Sequence, residues 1–214
     1  MTFSILTVCA ANTCRSPLIT VSLERALFSH HLGGDVVVRS SGVNAAAGEP
    51  ACRDIARLTK ANGIVSRVLE LHRSTPLTDE LIERADLILA ADRGLRSAVV
   101  RRGRAQSVDR TFTLREAAQL AAAACRGVEG HTTDQRLRSL TAQMNHSRGL
   151  TDVPAIERVA VITRPWRRIS VHTHDVPDAH GDPQAPHATV RRLIVPTAEQ
   201  LAGHLTSAAF GPSR

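Results

Sequence analysis

Residues 5–17 read ILTVCAANTCRSP, and this stretch decides the fold. Ile5, Leu6 and Val8 make a short apolar run of the kind that forms a buried strand, and the run ends on Cys9. Five small or polar residues, Ala10 to Cys14, lead to Arg15, Ser16 and Pro17. Serine is a good N-cap and proline suits the first helical position, so a helix is expected to start with Ser16 as its cap and Pro17 inside it. A thiol at a strand end followed by an arginine at a helix N-terminus makes an anion cradle. The backbone N–H groups of Ala10, Ala11, Asn12, Thr13, Cys14 and Arg15 can converge on phosphate oxygens, and the helix dipole adds partial positive charge. The same field favours Cys9 as a thiolate nucleophile. Arg15 offers a planar fork for two phosphate oxygens, and Asn12 tolerates the left-handed backbone of a tight loop. The chemistry implied is phosphoryl transfer through a phosphocysteine.

Composition bounds the remainder. A chain of 214 residues with 43% hydrophobic content is long enough for one α/β domain with a full core, and a single domain over residues 1–214 is expected. The formal charge of +7 comes from 27 Lys and Arg, of which Lys60 is the one lysine. The arginines are scattered along the chain. No aromatic residue interleaves the basic stretch at residues 101–104, so nucleic acid is not expected as a partner. A positive field does steer anionic substrates. No apolar stretch approaches a membrane span, and no leader of the secretory kind opens the sequence, so a cytoplasmic setting without membrane contact is expected. Cys9, Cys14, Cys52 and Cys125 show no metal-ligand spacing, and neither metal nor cofactor is expected.

The pattern of elements alternates. After the first strand and helix, Val36, Val37 and Val38 read as a strand covered on both faces. Glu49 and Pro50 open a helix that runs to Ala61 and closes at Asn62-Gly63. Thr78 caps a short helix before a strand at residues 87–90. Residues 93–102 are helical, and Thr113 with Glu116 forms a capping box that opens a helix through Cys125. Alternation of this kind gives a parallel sheet flanked by helices, with the ligand site at strand C-terminal ends. Leu137, Leu140 and Met144 have helical spacing, and residues 152–154 can start another helix through Val161. Residues 126–169 are therefore read as a helical insertion, either an added surface layer or a lid near the site. Arg164, Trp166, Arg167 and Arg168 lie at its junction.

On the phosphate-loop residues 8–17 the chain resembles the low-molecular-weight protein tyrosine phosphatases. The resemblance continues through Ser40-Ser41-Gly42, through LTDELIERADLILAAD at residues 77–92, which ends on Asp92, and through HDVPDAHG at residues 174–181. It implies a four-stranded parallel sheet and metal-free hydrolysis of phosphomonoesters, phosphotyrosine above all. Partners are then a phosphorylated protein or a small aryl phosphate, with phosphate or another oxyanion in the loop. Cys9 is the nucleophile it implies, Arg15 the phosphate clamp, and Asp178 the general acid. Asn12 and Ser40 are implied to hydrogen-bond in support of the loop. On the residues' own chemistry, the Ser16 hydroxyl can also support it by donating to the Cys9 thiolate, and Cys14, five residues on and close across such a loop, is a redox partner able to form a reversible disulfide with Cys9. The chain departs from the family at Ala11, where glycine is usual, and at Ala179 and His180, where the acid loop has proline and an aromatic residue. Asp175 and Asp182 are competing acids. Trp166 or His180 is left to supply an aromatic wall. The departures keep open a catalytically weak phosphoanion-binding protein on the same scaffold. An arsenate reductase would need two further neighbouring cysteines, and Cys52 and Cys125 are far apart in sequence.

Overall fold

A computed structural model of the chain describes residues 2–61, 67–150, 155–161, 167–182 and 184–211. Its main sheet is built from β1 (Phe3–Cys9), β2 (Val36–Gly42), β3 (Leu87–Ala90) and β4 (Thr111–Thr113). All neighbours pair in parallel, in the order β2-β1-β3-β4. The chain steps from β1 to one side and then returns to the other. The C-terminal end of β1 is therefore a topological switch point, where open α/β sheets leave a crevice for ligands. Cys9 is the last residue of that strand.

Around the sheet lie α1 (Arg15–Ser29), α2 (Arg53–Ala61), α3 (Arg67–Leu71), α4 (Asp79–Arg84), α5 (Arg93–Gly103), α6 (Leu114–Ala124), α7 (Thr133–His146) and α8 (His187–Phe210). β1 is covered on both faces. Phe3 and Ile5 share a core with Leu18 and Ile19 of α1, Leu114 of α6 and Val190 and Ile194 of α8. Leu6 and Val8 point the other way, into a smaller core with Ile82 of α4 and Val99 of α5. Local chemistry agrees with these elements. Thr78 accepts from the Leu81 N–H at the start of α4, and Thr113 and Glu116 make the reciprocal capping box of α6.

Four expectations change. α1 begins at Arg15, two residues early, so Ser16 sits inside the first turn and its hydroxyl is free for another task. α2 begins at Arg53 rather than at Pro50; its expected close at Asn62-Gly63 falls outside the described residues. β2 is an edge strand with alternating burial, not a strand covered on both faces, and Val37 is 41% exposed. In the insertion, α7 buries Leu137, Leu140 and Met144 as their spacing predicts. The helix expected to run through Val161 is instead a strand. β5 (Ile156–Val161) pairs antiparallel with β6 (Arg167–His172). β-branched residues fit a pleated, half-buried surface, and Val159 and Val161 pack there with Ile169, Val171 and Ala185. Arg164 and Trp166 lie outside the described residues.

The end of β2 sets the position of the loop that follows β1. A Cβ placed on Gly42 would stand 2.6 Å from the Ala10 carbonyl oxygen and 2.7 Å from the Asn12 nitrogen. Only glycine lets the two backbones approach this closely. Gly42→Ala is expected to lower stability by about 2 kcal/mol in urea unfolding, because backbone rather than a flexible side chain must give way. The same displacement is expected to weaken vanadate binding in the loop by roughly tenfold or more. An unchanged vanadate affinity would show that the loop tolerates the shift.

Candidate active site

The loop between β1 and α1 turns at Asn12, whose φ of 55° is left-handed. Ala11 is not among the residues with positive φ, so alanine carries no backbone penalty there. The turn aims both backbone and side chains at Cys9. The Asn12 N–H donates to Cys9 Sγ at 3.2 Å, and the Ser16 hydroxyl donates to it at 3.1 Å. A directed chain of hydrogen bonds stands behind that hydroxyl. The Thr75 N–H donates to Asn12 Oδ1 at 2.7 Å, which leaves Asn12 Nδ2 to donate to Ser16 Oγ at 2.9 Å. Ser16 can then present its hydrogen to the sulfur. The Asn12 carbonyl accepts from His72 Nε2 at 2.6 Å, so that ring nitrogen carries the proton. The sulfur end of this network is buried: Cys9 is 2% exposed and Asn12 and Ser16 are fully enclosed.

Arg15 is 3% exposed and has three partners. Nη1 donates to Asp92 Oδ2 at 2.8 Å and to the Val176 carbonyl at 3.2 Å, while Nη2 donates to Asp178 Oδ2 at 2.7 Å. Asp92 is anchored in turn as the N-cap of α5, where Oδ1 accepts from the Leu95 N–H. The segment bearing Asp178 is tied to the sheet through the Val176 N–H, which donates to the Ala91 carbonyl. A cavity of about 260 Å³ opens over the loop, walled by Cys9, Ala10, Ala11, Thr13, Cys14, Arg15, Asp178 and His180. A nucleophilic sulfur, a buried cation and a carboxylate therefore face one space.

The competing carboxylates lie elsewhere. Asp175 pairs with Arg93, and Asp182 accepts from the Gln184 N–H. Ser40 differs from expectation: among the described residues its side chain makes no hydrogen bond, and the Ser16 hydroxyl instead reaches the Ser41 carbonyl at 3.3 Å. In the β2 register Ser40 lies beside Thr7, two residues before Cys9, while Ser41 lies one step nearer the loop. Asp92, His72 and Thr75 join the site without having been assigned to it from sequence. Asp92 carried a signal, since it follows β3 at the same sheet end as Cys9. His72 and Thr75 carried none, because their roles depend on the segment between α3 and α4 passing beside Gly42 and the loop.

The cysteines are all free thiols. Cys14 forms a side-chain hydrogen bond with Cys52; this contact pulls the Cys52 thiol well below its ordinary value, and with burial it pushes Cys14 up. Cys125 is remote from this pair and donates to the His204 carbonyl. The ligand atoms of Cys14, Cys52, His180 and His187 all lie within 4.8 Å of one another. A reading by spacing cannot see a ligand set drawn from four separate segments.

Comparison with known proteins agrees with this geometry. The family model for low molecular weight phosphotyrosine protein phosphatase matches residues 4–131. A protein-arginine-phosphatase of Geobacillus stearothermophilus is 38% identical over 116 residues, which is 54% of this chain and 72% of that protein. "Probable low molecular weight protein-tyrosine-phosphatase EpsP" of Ralstonia nicotianae is 39% identical over 89 residues, or 42% of this chain and 55% of that protein. Among solved structures, the YwlE arginine phosphatase of G. stearothermophilus superposes with a TM-score of 0.61 at 26% identity, covering 96% of this chain and 94% of that one. The tyrosine phosphatase Wzb of Escherichia coli K30 shares the fold, with a TM-score of 0.59 at 19% identity over 95% of this chain and 98% of that one. By fold and by sequence, the chain belongs to the low molecular weight phosphotyrosine protein phosphatase family.

Proposed function

We propose that the chain removes phosphoryl groups from phosphorylated protein side chains or small aryl phosphates, with Cys9 as nucleophile. The observation that carries this reading is the pair of hydrogen bonds aimed at Cys9 Sγ, from the Asn12 N–H and the Ser16 hydroxyl. Both bonds direct hydrogen at the sulfur that is to attack and later to leave. Attack on phosphorus forms the S–P bond and breaks the bond to the leaving group. The loop N–H groups and Arg15 hold the non-bridging oxygens as charge spreads onto them. Asp178 delivers a proton to the departing atom, and then takes one from the water that hydrolyses the phosphocysteine. A phosphoryl group and Asp178 seek the same Arg15 Nη2. Substrate entry therefore turns the Asp178 carboxyl from the guanidinium toward the leaving group. A reducing, cytoplasmic setting suits a thiolate nucleophile.

A second substrate class is favoured by the cavity wall. Among its described residues His180 supplies the single ring, so stacking on a phenol is limited. A 38% identical relative is named a protein-arginine-phosphatase. Side-by-side turnover of phosphotyrosine and phosphoarginine peptides decides between the two, the larger kcat/KM naming the class.

Wild-type protein is expected to hydrolyse an aryl phosphate in the presence of EDTA. Cys9→Ser is expected to abolish turnover while vanadate binding persists, and substantial turnover in that variant would remove Cys9 from the role of nucleophile. Arg15→Lys is expected to be nearly as damaging, since a point charge cannot replace a bidentate fork held by Asp92 and Val176.

The acid has its own signature. Asp178→Asn is expected to slow turnover by about 10²–10³-fold with poor leaving groups, and by much less with an activated phenol that departs without a proton. Asp175→Asn and Asp182→Asn are each expected to cost less than about tenfold. If Asp182→Asn is the damaging change, the acid lies four residues further along. If none of the three matters, the site binds phosphoanions without acid catalysis.

A further inference from the structure

We propose that Cys14, Cys52, His180 and His187 form a zinc site that joins the phosphate loop to the segment carrying Asp178. The four side chains come from separate parts of the chain. Cys14 precedes α1, Cys52 precedes α2, His180 lies two residues after Asp178, and His187 opens α8. All four ligand atoms lie within 4.8 Å of one another. Two distances match a coordination shell already: Cys52 Sγ to His187 Nε2 is 3.3 Å, and His187 Nε2 to His180 Nε2 is 3.3 Å. Zinc bonded to sulfur at about 2.3 Å and to nitrogen at about 2.0–2.1 Å with tetrahedral angles puts its ligand atoms roughly 3.3–3.8 Å apart. The two imidazole rings meet edge to face, with centroids 4.8 Å apart at 82°, which lets both nitrogens point at one place without a clash.

The surroundings are those of a metal site as well. The His187 Nδ1 faces Asp54 Oδ2 at 3.9 Å, so a carboxylate stands on the side of the ring away from the proposed ion. Metal-bound histidines commonly have such a partner, which fixes the tautomer and raises basicity. Two thiolates with two neutral imidazoles select a borderline-soft ion, and the combination is the closed four-coordinate set of zinc. Binding displaces the remaining thiol protons to solvent. The ion would fix His180 against Cys14, both of which wall the cavity over Cys9. It would also engage Cys14, leaving it unable to pair with Cys9. This set uses His180, one of the positions at which the acid loop departs from the family pattern. The departure then has a physical reason of its own.

The test uses the full chain, stripped with a chelator under reductant and titrated with Zn(II) against a chromophoric competitor. About one zinc per chain is expected, with the affinity falling by roughly 100-fold or more in Cys52→Ser and in His187→Ala. Equal zinc uptake by wild type and both variants would mean adventitious binding to surface histidines and would overturn the site. Should either variant misfold, Co(II) in the wild-type protein reads the same point: intense tetrahedral ligand-field bands with a thiolate-to-metal transition are expected, and a weak octahedral spectrum would overturn the site. Neither readout passes through turnover, so the zinc site and the phosphatase chemistry stand or fall separately.

Discussion

A buried guanidinium holds the functional end of this molecule together. Arg15 is 3% exposed and gathers Asp92 from the end of β3, the Val176 carbonyl and Asp178 from the segment before α8. Removing a charge from water costs several kcal/mol, and paired carboxylates with full hydrogen bonding are what make that tolerable. The consequence is geometric. Two segments far apart in sequence can satisfy Arg15 only if each takes its place over the loop. The cavity above Cys9 thus follows from meeting the demands of one cation.

The sheet supplies the frame in which this occurs. With β1 flanked by β2 and β3, the crevice at its C-terminal end cannot be filled by a crossover connection. Gly42 lets β2 approach until its end touches the phosphate loop. The left-handed Asn12 then points its N–H inward and its side chain along a chain of bonds from Thr75 to Ser16. The Thr75 and Asn12 amide donors in that chain each have one direction, so the Ser16 hydrogen is left for the nearer Cys9 sulfur at 3.1 Å or the Ser41 carbonyl at 3.3 Å. The loop is rigid because it is over-determined, which is what a site complementary to a phosphoryl transition state requires.

Much of this was legible before any coordinates, because it is local. An apolar run ending in Cys9, a residue suited to left-handed backbone, and an arginine at a helix start all lie within residues 5–17. What escaped was non-local or depended on competing uses of one side chain. Ser16 carries the chemistry of both an N-cap and a donor to Cys9; the donor role is the one the fold uses, and the helix starts without the cap. The partners of Arg15 are 77 and 163 residues away. Strand β5 contains residues that helix and strand rules read differently, and its pairing with β6 settles the matter. Ser40 and Ser41 are adjacent, so one step of register moves loop contact from one to the other. Cys52 and His187 had no local signal whatever, since their significance lies in being 3.3 Å apart.

The central claim is that phosphate passes through Cys9. Asp178→Asn slows proton delivery in formation and water activation in breakdown of the intermediate, so with an activated aryl phosphate the breakdown step becomes the slow one. Acid quench of that variant during steady turnover, followed by peptide mass spectrometry, reads the intermediate directly. The account predicts a phosphoryl adduct on the Cys9 sulfur that disappears when Cys9→Ser or an unphosphorylated substrate analogue is used. A quenched protein that turns over substrate yet carries no adduct, or carries it on another residue, would contradict the account.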